Sequence, residues 1–342
     1  MAVLSLMSGM ELAGPIGDED VPVYELSQSR GRLNASGVRG VLKVVDGFDP
    51  HILQGHMYHS NILVRAVGIV RRKLKVINTR HIDFEPFSRR VVNVLTSFAV
   101  DETMVFSRKV LDAERRDSPF GPSPRLLTYG IDLRGSSVGR EEARRRMGVP
   151  EKGRVWIAVG RLSRQKGFDI LLEAFGKVAA AAREDKPRLV IVGDGDQRKH
   201  LEDAAARLSL TDRVLFAGDR NDVPDLMMGA DFFVLSSRWE GGPLVVLEAM
   251  AAGLPVVATD VGDVSSMVVD GETGFVVQPS RPDELSRAMS RMMDLESGAR
   301  ELGHTGLKRV GKYYDYSATQ REMERCYFEL AGVDPPRSDN RS

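Results

Sequence analysis

The chain of 342 residues holds a single cysteine, Cys326, so no internal disulfide can form, and that usage fits a reducing compartment. No stretch reaches the eighteen or so apolar residues of a membrane span, and the start lacks the charged flank and apolar core of a signal peptide. Charge of one sign is missing too: 48 basic side chains meet 48 acidic ones, and this zero balance gives no bulk field for nucleic acid. No internal repeat or low-complexity block is visible. These absences lead to the expectation of a cytoplasmic protein. Basic clusters at 71–75, at Arg89 and Arg90, and at 144–146 read as solvated helix faces, or as peripheral contact with the inner membrane face.

What is present is ordinary for a globular protein of about two domains, with 42% hydrophobic and 28% charged residues. From residue 154 onward, strand-like runs alternate with helical patterns: RVWIAVGRL, RLVIVGDG, RVLFAGD, DFFVLSS, PVVATDVG and GFVVQP. Such alternation predicts a parallel sheet with helices on both faces. Phe168, Leu171, Leu172, Phe175 and Val178 have the spacing of a helix face turned to the core. The first 135 residues repeat the pattern more loosely, with AVLSL, VPVYEL, HILQGHM, KVINTRHI, ETMVFS and RLLTYG. The expected layout is therefore a domain at 1–135, a charged linker at 136–153, a second domain at 154–334 and a polar, disordered tail at 335–342. Ligands of such sheets bind outside the carboxyl ends of the strands.

In SSRWEGGPLVVLEAMAAGLPVVATD, residues 236–260, Glu240 and Glu248 flank a Gly-Gly-Pro turn inside nearly apolar sequence. Pro243 suits the first helical position and Gly253 the stop after the helix. Glu248 reads either as a partly buried carboxylate whose partner is a ligand or as a residue on the wet face of the helix. The run VGRLSRQKGFD, residues 159–169, sets Gly160 where a ligand can approach the backbone and adds two cations, Arg161 and Lys166, suited to a diphosphate. In VGDGD, residues 192–196, Gly193 and Gly195 could open a dinucleotide fingerprint, but the third position holds Arg198; Asp194 and Asp196 resemble an acidic metal motif.

GRLSRQKG, VGDGD, the EGGP-to-VATDVG block and DGETGFVV stand in an order and spacing that resemble glycosyltransferase family 4, the retaining transferases of the GT-B fold, over residues 120–332. The resemblance implies two facing Rossmann-like, doubly wound domains with a cleft between them. The C-terminal domain would hold a UDP- or GDP-sugar and the N-terminal one a glycan or lipid-linked acceptor. It implies that Glu248 accepts hydrogen bonds from ribose hydroxyls, that Glu240 lies near the donor sugar, and that backbone N–H groups at Gly242, Pro243 and Leu244 meet the diphosphate at the helix mouth. Arg161 and Lys166 match the cationic pair on the leaving diphosphate, Gly160 the close-approach glycine, and Gly193 a turn near the nucleobase. No metal or other cofactor is implied.

GHMYHSN and NTRHID resemble segments facing the cleft, and His81 aligns with a histidine near donor sugar and acceptor. A core histidine, or a zinc site of His56, His59 and His81, are the other readings. Tyr129 stands where the family has asparagine. The family's opening strand, Gly-rich loop and helix have no counterpart before AVLSL, so the expectation includes a shortened first domain and, as alternatives to transfer, sugar-nucleotide binding without turnover or a nicotinamide-dependent oxidoreductase.

Overall fold

The computed structural model describes residues 1–6, 21–26, 35–82, 85–133, 136–182 and 186–334; Asp83 of NTRHID and the tail 335–342 lie outside them. The chain divides into two compact units, residues 1–127 with 321–342, and residues 128–320.

The first unit contains β1 (Val3–Ser5), β2 (Val23–Glu25), β3 (Ile52–His56), β4 (Lys75–Arg80), β5 (Glu102–Val105) and β6 (Arg125–Leu126). All pairings are parallel, but they make two sheets where one was expected: β1 with β2, and β3-β4-β5-β6. Leu4 of the small sheet and Leu53 of the larger pack on one cluster of Val41, Val45, Val67 and Leu74, so a shared apolar layer supports both. Val76 touches Gly68 of the helix Met57–Val70, and its neighbour Ile77 points to the opposite face of β4. There Ile77, Met104 and Leu127 bury Cys326 of the helix Tyr316–Ala331, which closes the sheet with residues from the end of the chain.

The second unit is the alternation the sequence predicts. β7 (Val155–Val159), β8 (Arg188–Val192), β9 (Val214–Gly218), β10 (Phe232–Leu235), β11 (Val256–Thr259) and β12 (Gly274–Val277) form one parallel sheet in the order β12-β11-β10-β7-β8-β9. Phe168, Leu171, Leu172, Phe175 and Val178 are all buried in its core, as their spacing requires. The stretch read as a linker carries instead a helix, Arg140–Met147, that belongs to this unit. Its Arg144 is 1% exposed, pairs with Asp231 at 2.8 Å and donates to the carbonyls of Gly229, Pro150, Glu151 and Gly153. A buried guanidinium satisfied this fully fixes the segment in place.

Candidate active site

The carboxyl ends of β7 and β8 lie side by side, and the chain leaves them at Gly160 (φ 154°) and Gly193 (φ 130°). The Gly160 N–H donates to the Val192 carbonyl and the Leu162 N–H to that of Asp194, each at 2.9 Å. A Cβ on Gly193 would stand 2.2 Å from the Gly160 carbonyl oxygen, so only glycine allows the two loops to bond back to back. Arg161 projects from this junction, exposed and without an ion pair among the described residues. The Asp194 carboxylate accepts from the Gly195 N–H at 2.7 Å and from Arg198 at 2.8 Å, and these bonds hold its pKa below the usual value. Asp194 thus braces its own turn.

Lys166 ends a short 3-10 turn, Arg164–Lys166, that is stitched to the segment after β10. Ser236 Oγ donates to the Lys166 carbonyl at 2.9 Å, the Arg238 N–H to that of Gln165 at 2.8 Å, and the Arg238 guanidinium grips Asp169 at 2.8 and 2.7 Å. Gly167 (φ 63°) lets this happen, because a Cβ there would lie 2.2 Å from the Ser236 carbonyl oxygen. The stitching brings Lys166 Nζ to 2.7 Å from Glu240 Oε1. Ser237 Oγ donates to the same oxygen at 2.7 Å, and Gln165 Nε2 to Oε2 at 3.2 Å. Lys166, expected with Arg161 as a cationic pair on the diphosphate, is therefore half of a largely buried ion pair, while Arg161 has no ion pair among the described residues.

The turn after Glu240 differs from expectation at the helix mouth. Pro243 is the N-cap of the helix Leu244–Ala251, one residue outside its expected position. It has no N–H to offer a phosphate, and the Leu244 N–H donates to the Gly242 carbonyl at 3.0 Å. Of the three residues expected at the mouth, Gly242 alone keeps an N–H without a partner among the described residues. The turn is pinched from two sides: a Cβ on Gly242 would be 2.1 Å from the Tyr129 ring, and Gly262 (φ 55°) sits against the Gly241 carbonyl. Tyr129 is buried there, and burial pushes its phenol up to about 12. The Gly-Gly pair accommodates that ring.

Glu248 is exposed, yet the surrounding protein raises its carboxyl above the ordinary value by desolvation. Solvent thus reaches a carboxylate that the surrounding protein partly desolvates. No hydrogen bond or ion pair engages it among the described residues. The helix ends as predicted, with Gly253 (φ 73°) beyond the cap and the Leu254 N–H returning to the Ala249 carbonyl at 3.0 Å.

In the first unit, His81 stacks on Phe106 with ring centroids 5.2 Å apart and lies 6.2 Å from His56. Burial, and then the neighbouring His56, lower its pKa, so the imidazole is neutral at neutral pH. Arg80 Nε donates to the Ile82 carbonyl at 2.8 Å while its guanidinium pairs with buried Glu114 and Asp117, which fixes the turn bearing His81. The described residues include no group of three His, Cys, Asp or Glu arranged to hold a metal ion, so His56, His59 and His81 do not assemble as a zinc site.

Sequence reasoning missed Ser237, Gln165 and the Arg238–Asp169 clamp. Their signal was faint: two serines closing a strand, and a glycine and an aspartate following Lys166.

The parallel α/β fold is of the GT-B class, as comparison with solved structures shows. The Anabaena protein HepE, solved with UDP and glucose, superposes with a TM-score of 0.84 at 19% identity, over 95% of this chain and 91% of that one. Sucrose-phosphate synthase of Thermosynechococcus elongatus gives 0.78 at 23% identity, over 92% and 84%. In sequence, residues 139–309, half of the chain, match the model for glycosyl transferases group 1, and the chain belongs to that family. A lipopolysaccharide core biosynthesis mannosyltransferase of Rhizobium meliloti is 30% identical over 219 residues, covering 60% of this chain and 60% of that protein. A Bacillus subtilis glycosyltransferase named for teichuronic acid biosynthesis is 34% identical over 247 residues, 71% of this chain and 58% of that protein. The chain thus spans no more than three-fifths of the length of these curated relatives.

Proposed function

We propose that the protein moves a glycosyl group from a UDP- or GDP-sugar to a hydroxyl of a glycan or lipid-linked acceptor, with retention of anomeric configuration. The observation that carries this reading is Arg161, an uncompensated cation beside backbone with no Cβ at Gly160 and Gly193. A diphosphate can approach that surface closely and find charge there. Family membership and the UDP-glucose complex of HepE support the donor class.

In this reaction the bond from the anomeric carbon to the phosphate oxygen breaks and its electron pair stays on the diphosphate. Arg161 and the Lys166 ammonium stabilise that growing charge. The Gly242 N–H meets the diphosphate at the turn, Glu240 steadies Lys166 beside the sugar, and Glu248 accepts from the ribose hydroxyls. The acceptor hydroxyl attacks on the face the phosphate leaves and passes its proton to the departing phosphate oxygen, so no side-chain nucleophile is needed. His81, neutral and held by the Arg80 turn, serves the acceptor. The chemistry uses no metal, and EDTA leaves the rate unchanged in this reading.

Calorimetry with UDP, GDP and NAD tests the donor site, and NMR of the product tests the stereochemistry. Binding of NAD alone would overturn the reading in favour of an oxidoreductase. Nucleotide binding without turnover on any acceptor would leave a sugar-nucleotide-binding protein.

A further inference from the structure

The helix Phe87–Thr96 is amphipathic in the wrong sense for a helix lying on a water-soluble surface. Its only fully buried residue is the polar Asn93, which accepts from buried Arg65 at 3.2 Å; Thr96 also accepts from Arg65, at 2.8 Å, and Arg90 reaches buried Asp117. Apart from Ser88, the water-facing side is apolar. Phe87, Val91 and Leu95 recur every four residues on one face, and Phe98 follows in the next turn. The Phe120 N–H donates to Ser97 Oγ at 3.3 Å, which sets a third phenylalanine beside the stripe. Apart from Met1, the four most exposed large apolar side chains among the described residues are Phe87 (79%), Phe120 (67%), Leu95 (65%) and Phe98 (63%), all in this one patch. Exposed apolar surface gathered in one place marks a contact site, whereas scattered single residues need no explanation.

Cations border the patch. Arg89 and Arg90 are 38% and 40% exposed, while their partners Glu85 and Asp117 are 4% and 0% exposed, so the acids point inward and the guanidiniums outward. Gly68 lies against the Ala99 carbonyl, which carries the exposed Ile69 and Val70 and the run Arg71, Arg72 and Lys73 to the Phe98 end. Arg71 is paired with Asp46; Arg72 and Lys73 have no ion pair among the described residues. The helix itself carries no acid.

We propose that this face, Phe87 to Phe98 with Phe120, docks on an anionic lipid bilayer. Aromatic and branched side chains would enter the headgroup boundary while Arg89, Arg90, Arg72 and Lys73 meet lipid phosphates, the division of labour of interfacial helices. A second copy is a poorer occupant, because a two-fold pairing of the face would set Arg89 and Arg90 against their own likeness. No helix among the described residues is long and apolar enough to span the bilayer, so this contact lies on its surface. The docking does not depend on the transfer reaction, and nucleotide affinity can be measured separately.

The test uses the full chain and sedimentation with vesicles of phosphatidylcholine, alone or mixed with phosphatidylglycerol. Binding is expected to the mixed vesicles only, to vanish near 1 M salt where the Debye length is about 3 Å, and to weaken about tenfold or more in Leu95→Ser/Phe98→Ser and in Arg72→Ser/Lys73→Ser. These residues are exposed, and unchanged circular dichroism and UDP affinity serve as folding controls. Phe87→Trp gives a direct reading, since its emission should shift to the blue only with anionic vesicles. Equal binding to both vesicle types, no binding to either, or a vesicle-free dimer abolished by Leu95→Ser/Phe98→Ser would overturn the proposal.

Discussion

Lys166 Nζ and Glu240 Oε1, 74 residues apart in sequence, meet at 2.7 Å in a pair whose side chains are 19% and 8% exposed. Lys166→Ala strands the carboxylate with only Ser237 and Gln165 as donors. Because those bonds remain, the expected loss is about 2 kcal/mol, below that for a fully buried pair. Urea unfolding of Lys166→Ala, Glu240→Gln and the double variant checks it: the double variant should recover most of the loss. Additive losses would mean that the two side chains are not coupled.

Arg161→Ala should leave stability unchanged within about 0.5 kcal/mol, because the side chain is exposed and unpaired. If Arg161 stabilises the leaving diphosphate, kcat falls about a hundredfold with a smaller change in donor affinity. Rate and affinity are measured separately, and a change in affinity alone would refute the role.

For Glu248, binding and stability should move in opposite directions. Glu248→Gln removes a charged acceptor for ribose hydroxyls, with an expected cost of about 1.5–3 kcal/mol in nucleotide binding. The raised carboxyl in the folded state means that its contribution to stability is present below the unfolded pKa and lost as pH rises through the folded value. Glu248→Gln should then match the parent in denaturation near pH 4 and exceed it slightly at pH 7. Calorimetry showing equal nucleotide affinity of variant and parent would remove Glu248 from the site.

His81 has the opposite sign. Its folded pKa lies below the ordinary 6.5, so stability is full above that value and declines as pH falls, because the unfolded chain takes up the proton first. Proteolysis of the first unit should speed up as pH drops below about 6.5. His81→Gln should flatten that dependence in part, with His56 keeping the remainder.

Cys326 is the simplest case. Its thiol, on the face of the last helix that packs against Ile77, Met104 and Leu127, is buried and pushed up to about 11. The native chain should ignore Ellman's reagent and react with it fully in denaturant. Rapid native labelling would show that the helix detaches readily.

The strands of the second unit were readable because each is an apolar run between turn residues, and the Phe168-to-Val178 face was readable from period alone. Local spacing encodes both. The Lys166–Glu240 pair was hidden because nothing local in either segment names a partner across the sheet. The cationic pair read at Arg161 and Lys166 carried no sign that one of the two ammonium and guanidinium groups already faces a carboxylate. Pro243 was expected to join a set of N–H donors, although its ring nitrogen has none, so the motif's resemblance overrode elementary chemistry at one atom. The first unit was legible strand by strand but not as a sheet, since short runs such as VLS and VYE do not specify which edge they join.

The helix Tyr316–Ala331 begins in the second unit and ends in the first, which makes residues 128–320 an insertion within the first unit. A ribosome therefore releases the parts in an order unlike their position along the chain. The second unit is complete once residue 320 has emerged, while Ile77, Met104 and Leu127, made much earlier, wait for Cys326 and its neighbours to cover them. Through most of synthesis the larger sheet of the first unit is open on one side. That sheet is where a chaperone would find exposed apolar surface, and where a stalled or shortened chain would begin to aggregate.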